Sequence, residues 1–425
     1  MAKLKLAQVG CGGMGLRHIY AQMELQQQGF DTFDLVALCD MHLPAAEHVA
    51  DEAEKNLGKR PKTYANFDEM IEEDGGLDAV DIVTSIEHHH VLALKAFEAG
   101  IHVAVEKPMG ITVRACKSMI KEAAHAQKVL SISENYRRDP VNRLVKSMLD
   151  TGVVADPRLF LSISTRGSRH ISHTTAWRHM KLDGGYLLDH AVHTADLLIY
   201  FLGSVDTVYA ATKIWEKQRY TNKHTTADPV TRYYDHRVKE EIERSDMTQC
   251  TSEDTALAVL QFNSQAMGHL TVSGATPGKE IHEDTIYCAE GSLKLSGSRS
   301  GRPPIVTRMD KLTPLPEAEI LKLVPQFLLD DTTATFFGGL DKLSSYDMSF
   351  EEIDRKLIAI ELQDFADAVL NGREPEVTGA SGLEAVALVY AMLESGYSGV
   401  PVSFADVATD QVNTYQQEIN DSVGL

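Results

Sequence analysis

Cysteine is scarce in this chain and shows no paired spacing. Cys11, Cys39, Cys116, Cys250 and Cys288 are scattered over 425 residues without C-x-x-C spacing. That argues against a disulfide framework or a cysteine-rich metal site, and it suits a reducing compartment, the cytoplasm. No apolar run approaches the ~20 residues needed to cross a bilayer. Lys3 and Lys5 already stand in or beside the first strand, so no secretory signal is read ahead of it. Positive charge is in deficit: 41 Lys and Arg face 61 Asp and Glu, for a formal net charge of −20. Such a surface repels phosphate backbones and anionic lipid, which excludes nucleic acid and membrane as partners. Internal repeats and low-complexity segments are also missing.

What is present is an ordinary globular composition, 43% hydrophobic and 24% charged, at a length that suits two domains. The organising stretch is Leu4 to Gly15. Leu4, Leu6 and Ala7 to Val9 read as a buried strand. Gly10, Gly12 and Gly15 then form G-x-G-x-x-G, with Gly13 and Met14 inside the turn and a helix opening behind it. The spacing has a mechanical basis: a sharp turn at Gly10, close backbone approach to a pyrophosphate at Gly12, close helix–strand packing at Gly15. The helix N-terminus offers unpaired N–H groups to phosphate. A second apolar strand, Leu35 to Cys39, ends at Asp40, where a ribose-binding acid belongs. Cys11 reads as a small packed residue, since no partner cysteine makes it a redox centre. The reading is a dinucleotide site, and the Asp40 carboxylate, which would repel a 2′-phosphate, favours NAD over NADP.

From Leu4 to about Glu134, strands and helices alternate, the signature of a parallel sheet. Helices are expected at 44–57, 66–73, 89–100 and 112–127, with strands at 79–84, 102–105 and 129–133. Gly12, Asp40, Thr84, Ser85 and Lys107 all fall at carboxyl ends of strands, where such sheets bind ligands. Past Asn135 a helix at 140–149 is followed by strand-like runs at 158–165, 255–262, 267–273 and 285–295. The expected fold is thus a Rossmann α/β domain (1–134) followed by an α+β domain on an open, mainly antiparallel sheet (135–404). The stretches 213–249 and 299–349 read as polar, irregular insertions, and 405–425 as a polar tail that wanders or covers a neighbour. Amphipathic helices are expected at 357–370 and 382–395.

Further stretches carry chemistry. Glu106-Lys107-Pro108 follows a strand, Asn135-Tyr136-Arg137 opens the second domain, and Gly184-Gly185-Tyr186-Leu187-Leu188-Asp189-His190-Ala191-Val192-His193 follows Trp177-Arg178. With the glycine-rich turn, these resemble the GFO/IDH/MocA family of NAD(P)-dependent sugar and cyclitol oxidoreductases. The likeness covers most of the chain outside the insertions and tail, and extends to Glu98–Val103 and Ser395–Val402. It implies that Lys107 hydrogen-bonds the reacting oxygen near the nicotinamide, that His193 is the general acid/base, and that Asp189 orients or charge-stabilises the site. Asp189 and His193, four apart on a helix, would face one cleft. Imidazole titrates near working pH, and an ammonium stabilises a developing alkoxide. An ionised Asp189 nearby would raise the basicity of His193. The resemblance also implies a cofactor shell including Thr84, Ser85, His89, Glu106 and Asn135, and a Lys107–Pro108 peptide of the cis form. The chain departs from the family pattern at Ser85, in place of proline, and at Asp183 and Ala191, in place of glycines.

Other residues carry two readings each. His88-His89-His90 reads as a solvated helix start, because adjacent helical residues point different ways. His170, His173, His179, His190 and His193, with Asp183 and Asp189, could supply three ligands to zinc. The oxidoreductase role already uses Asp189 and His193, so no metal is expected. Arg166, Trp177 and Arg178 are sugar contacts or, alternatively, a packed tryptophan with surface arginines; His190 touches substrate or the sheet. Tyr136 is a further substrate contact. The leading function is an NAD-dependent dehydrogenase of a sugar, sugar derivative or cyclitol. Alternatives are an NAD-dependent glycoside hydrolase, with Tyr136, Tyr186 or a histidine as extra base, and a non-catalytic sugar sensor. The open sheet face predicts a homo-oligomer.

Overall fold

The computed structural model of the protein describes residues 3–171, 175–221, 233 and 247–425. Its first half follows the apolar runs closely. Strands β1 (Leu4–Val9), β2 (Phe33–Cys39), β3 (Lys62–Tyr64), β4 (Ala79–Ile82), β5 (His102–Glu106) and β6 (Leu130–Ser133) form a parallel sheet in the order β3-β2-β1-β4-β5-β6. Helices α1 (Gly13–Gln27), α2 (Leu43–Leu57), α3 (Phe67–Glu73), α4 (His89–Glu98) and α5 (Val113–Ala126) connect them. The β4 and β6 residues are buried throughout, as strands covered on both faces must be. Asn66 caps α3 by accepting from the N–H groups of Asp68 and Glu69, and Thr112 caps α5 through Ala115. Each such cap removes an orphan donor from a first turn. The strand order reverses between β1 and β4, which opens a crevice at their carboxyl ends.

The second half is built on α6 (Pro140–Asp150), α7 (Gly185–Leu202) and an eight-stranded sheet. Its strands are β7 (Pro157–Thr165), β8 (Val205–Lys213), β11 (Thr255–Phe262), β12 (Met267–Ser273), β13 (Ile281–Cys288), β14 (Gly291–Leu295), β15 (Ile305–Arg308) and β16 (Val402–Ser403). The order is β15-β14-β13-β7-β12-β11-β8-β16. Only β7 and β12 run parallel; the other neighbours are antiparallel. Alternation along β11 buries Ala256, Ala258, Leu260 and Phe262, and leaves Leu257 50% and Val259 55% exposed. The buried face packs on α7 and on the helix Gly379–Ser398. Burying a large apolar side chain is worth roughly 1.5–3 kcal/mol, so this one-sided pattern decides which face turns inward.

Three expectations are corrected. The run 285–295 is a hairpin of β13 and β14, broken by the turn at Ala289 and Glu290. The stretch 299–349 is not irregular. It contains β15 and the helices Glu317–Leu323 and Asp331–Phe336, and it buries Ile320, Val324, Phe327 and Phe336. Phe336 stacks on Phe30 of the Rossmann half with ring centroids 5.5 Å apart. Its apolar residues are too widely spaced to show a period. The tail packs on its own chain: Gln416 and Asn420 accept from Val113 N at 2.9 Å and Thr112 Oγ1 at 2.7 Å. In the stretch 213–249, β9 (Gln218–Tyr220) pairs with β10 (Met247–Gln249); most of the rest lies outside the described residues. Among the described residues, no helix is long and apolar enough to cross a membrane.

Candidate active site

A cavity of about 1380 Å³ separates the carboxyl ends of the parallel strands from the inner face of the second sheet. One end is a cradle. Gly10 turns with φ +103°, and a Cβ there would stand 2.6 Å from the Val83 carbonyl oxygen, so only glycine fits. Gly12 caps α1 without a side chain, and no acid stands in the first turn of α1; its N–H groups are therefore left for an anion. Asp40 accepts from the backbone N–H groups of Cys11 (2.8 Å) and His42 (2.9 Å), which fixes its carboxylate at the cavity edge. Gly10, Gly12, Gly13, Met14, Asp40, Thr84, Ser85, Glu106, Lys107 and Asn135 all line the cavity. These residues suit a dinucleotide, with its pyrophosphate on α1 and its ribose on Asp40.

Two expected cofactor residues stand elsewhere. A Cβ on Gly15 would lie 2.2 Å from the Gly10 carbonyl oxygen, so Gly15 serves the packing of α1 on its strand. His89 is buried, its Nδ1 3.0 Å from the Pro108 carbonyl and its Nε2 3.1 Å from that of Thr84. It braces the two turns that flank the site instead of touching it. The expectation of a solvated helix start fails with it, because His89 and His90 are both buried. Burial pulls His90 down to about 4, which keeps its ring neutral.

The other end of the cavity is set by α7. Gly184 (φ +114°) and Gly185 (φ +80°) let the chain enter α7 against Ser252. One turn on, Asp189 and His193 both face the cavity. Their partners differ, however. Lys107 Nζ donates to the Asp189 carbonyl at 3.1 Å and to its Oδ1 at 3.2 Å, and Arg178 Nε donates to Oδ2 at 2.8 Å. Burial alone would raise Asp189; Lys107 and Arg178 overcome this and hold its carboxyl well below the usual range. The Lys107–Pro108 peptide is cis. Arg178 also lies over the Trp177 ring at 4.3 Å, so Arg178 is tied into the site and not a free surface group.

His193 answers to a residue that the sequence reading passed over. Its Nδ1 stands 2.8 Å from both carboxyl oxygens of Glu134, at the end of β6. Burial, then the nearby charges of Lys107 and Arg299, push His193 well below its ordinary value. Burial pushes Glu134 up to about 7. The first effect keeps the imidazole neutral, and above about 7 the ionised Glu134 accepts from its Nδ1–H. Nε2 has no partner among the described residues. The Tyr136 ring stacks on His193 at 4.0 Å, and Arg299 Nη2 donates to the Tyr136 hydroxyl at 3.3 Å. The position of Glu134 at a strand's carboxyl end was the available signal for it; Arg299, in the 299–349 stretch, gave none.

Behind the site, His18 bridges Asp81 (2.7 Å) and Glu106 (3.1 Å). Burial would lower its pKa, but the two carboxylates raise it to about 10. His18, Glu106 and Glu361 form the one cluster of three potential metal ligands among the described residues. There the ring nitrogens of His18 are already engaged. The histidine-rich segment does not converge: His170 lies exposed against Ser168, His179 is buried, and His190 stacks on Tyr186 at 4.0 Å. His173 lies outside the described residues. Asp183 is half-buried near Glu87.

The family model described as "Oxidoreductase family, NAD-binding Rossmann fold" matches residues 4–134, and its "C-terminal alpha/beta domain" companion matches 146–404. The chain belongs to the GFO/IDH/MocA oxidoreductase family. Its dinucleotide cofactor is NAD, held in the Rossmann half. A D-apiose dehydrogenase of Rhizobium rhizogenes is 24% identical over 403 residues, 94% of this chain and 97% of its own. A glycosyl hydrolase family 109 protein of Shewanella baltica is 26% identical over 186 residues, only 43% of this chain and 38% of its own. Among solved structures, levoglucosan dehydrogenase in complex with NADH and L-sorbose superposes with a TM-score of 0.74 at 20% identity, covering 95% of this chain and 99% of that one. In this family member, the cradle and the α7 end thus occupy one cavity at the junction of the two halves.

Proposed function

We propose that the protein is an NAD-dependent dehydrogenase acting on a secondary alcohol of a sugar, sugar derivative or cyclitol. One observation carries the reading. His193 lines the same cavity as the dinucleotide cradle, its Nε2 without a partner among the described residues, with Nδ1 against Glu134 and with Lys107 held by Asp189 alongside. NAD supplies the nicotinamide ring that takes the hydride. Lys107 donates a hydrogen bond to the reacting oxygen and stabilises its alkoxide character. His193 Nε2 takes the hydroxyl proton as hydride leaves the carbon, and Glu134 stabilises the imidazolium that results. Asp189, shared by Lys107 and Arg178, is a positioning residue: it aims the ammonium, while Glu134 serves the base. Tyr136, Trp177, Arg178 and His190 line the space for the sugar.

The near-full-length likeness to a sugar dehydrogenase supports this reading over a hydrolase or a sensor. The test is NADH formation across a panel of sugars and cyclitols, with His193→Ala as control and an aryl glycoside as a separate arm. Oxidation lost in His193→Ala by about 10²–10⁴-fold is expected. Release of the aryl group without net NADH points to the hydrolase, and no turnover on any compound, with NADH still bound, points to the sensor.

The protein is also proposed to pair with a second copy through the outer face of its second sheet. Tyr209, Leu257, Val259, Met267 and Tyr287 are exposed there. Their registers place Tyr209 beside Val259 on neighbouring strands, a contiguous apolar surface of the kind that marks an interface.

A further inference from the structure

Most cations around the catalytic end of the cavity are held by a carboxylate. Lys107 and Arg178 share Asp189. Arg17 and Arg299 share Asp354, which is fully buried. Arg166, on the opposite wall, has no carboxylate partner among the described residues; Glu280, the acid that acts on it from a distance, is exposed. Asp284 lies on the same wall, and burial raises its pKa. In a chain that carries −20 as a whole, a cavity arginine without a carboxylate partner runs against the composition.

Arg166 is also fixed in place. Its N–H donates to the Ser273 carbonyl at 3.0 Å, and its carbonyl accepts from Thr276 N at 3.1 Å and Thr276 Oγ1 at 3.0 Å. The next residue, Gly167, lies so close to that segment that a Cβ would stand 2.3 Å from Thr276 N. The guanidinium lies near Tyr186, whose ring in turn stacks on His190. A guanidinium carries five N–H donors in a planar fork. With no carboxylate to take it, that fork is open to a bidentate oxyanion in the cavity.

We propose that Arg166 receives an anionic group of the substrate, so that the enzyme acts on a sugar bearing a carboxylate or a phosphate and not on a neutral sugar. This rests on the dehydrogenase reading of the same cavity. Binding by the NADH-saturated protein is measured calorimetrically for D-glucose, D-glucuronate and D-glucose 6-phosphate, independently of turnover. One of the two anions is expected to bind about 10- to 100-fold more tightly than glucose, the range of a charge-assisted pair. Whichever anion does so identifies the group as carboxylate or phosphate. Arg166→Gln is expected to remove that preference and Arg166→Lys to restore part of it, with the NADH-induced rise in melting temperature unchanged as a check on folding. Equal affinity for the three compounds, or a preference that survives in Arg166→Gln, overturns the proposal. Failure of the dehydrogenase reading shows differently: a preferred anion binds through Arg166 and yet no sugar on the panel ever reduces NAD.

Discussion

Glu134→Gln removes one charge and keeps the shape, so it isolates what the carboxylate does for His193. Burial raises Glu134 to about 7. Below that pH its carboxyl holds a proton and donates to Nδ1, which leaves the ring proton on Nε2, where it blocks transfer from the alcohol. Above it the carboxylate accepts from Nδ1–H, and Nε2 is free to act as base. Oxidation by the wild type is therefore expected to climb as pH rises through about 7 and to level off beyond. Both Glu134 oxygens lie 2.8 Å from Nδ1. Opposite charges about 4 Å apart attract by about 4 kcal/mol at an effective dielectric of about 20. A half-transferred proton feels about half of this, ~2 kcal/mol, or about 30-fold in rate. The assay is kcat for NADH formation on the best panel substrate across the neutral range, with NAD affinity measured alongside. Glu134→Gln should run about 30-fold slower on the plateau and lose the rise near 7. A variant that keeps both its plateau and its rise refutes the pairing as the source of basicity.

Lys107→Met, by removing the donor to the reacting oxygen, should lower turnover by about 10²–10³-fold; near-normal turnover would return Lys107 to a purely structural role. Asp40→Ser should weaken NAD binding and narrow its preference over NADP, read by equilibrium titration of both cofactors; tighter NADP binding by the wild type would overturn the Asp40 assignment. Glu361 has two buried oxygens without partners among the described residues. Burial, then Glu106, hold its carboxyl well above the usual range. The folded chain keeps a proton that the unfolded chain releases above about pH 4.3, so stability falls as pH climbs from there towards the folded value. Glu361→Gln should thus gain in Tm relative to wild type as pH rises, and a constant difference across the range would contradict it. Val259→Asp on the outer sheet face should leave a monomer where light scattering finds the wild type oligomeric; a monomeric wild type at micromolar concentration ends the interface reading.

The sequence alone determined what depends on local order. The β–α alternation, the glycine turn, the cap at Asn66 and the period-2 pattern of Thr255–Phe262 are all set by neighbours a few residues apart. So is the sharing of one cavity by Asp189 and His193, since a four-residue step keeps them on one helix face. The partners of those two residues were decided only by tertiary structure. Lys107 meets Asp189 across 82 positions and Glu134 meets His193 across 59, so no periodicity could assign either pair. His89 looked solvated because three adjacent helical residues point different ways, yet the packing of α4 buried it between two carbonyls. The stretch 299–349 looked irregular because its core residues are spaced for a three-dimensional junction and not for a helix or strand face. Propensity and pattern act over one or two turns of chain; charges and hydrogen bonds act over a few ångströms of space, and only the folded chain makes distant residues neighbours in that sense.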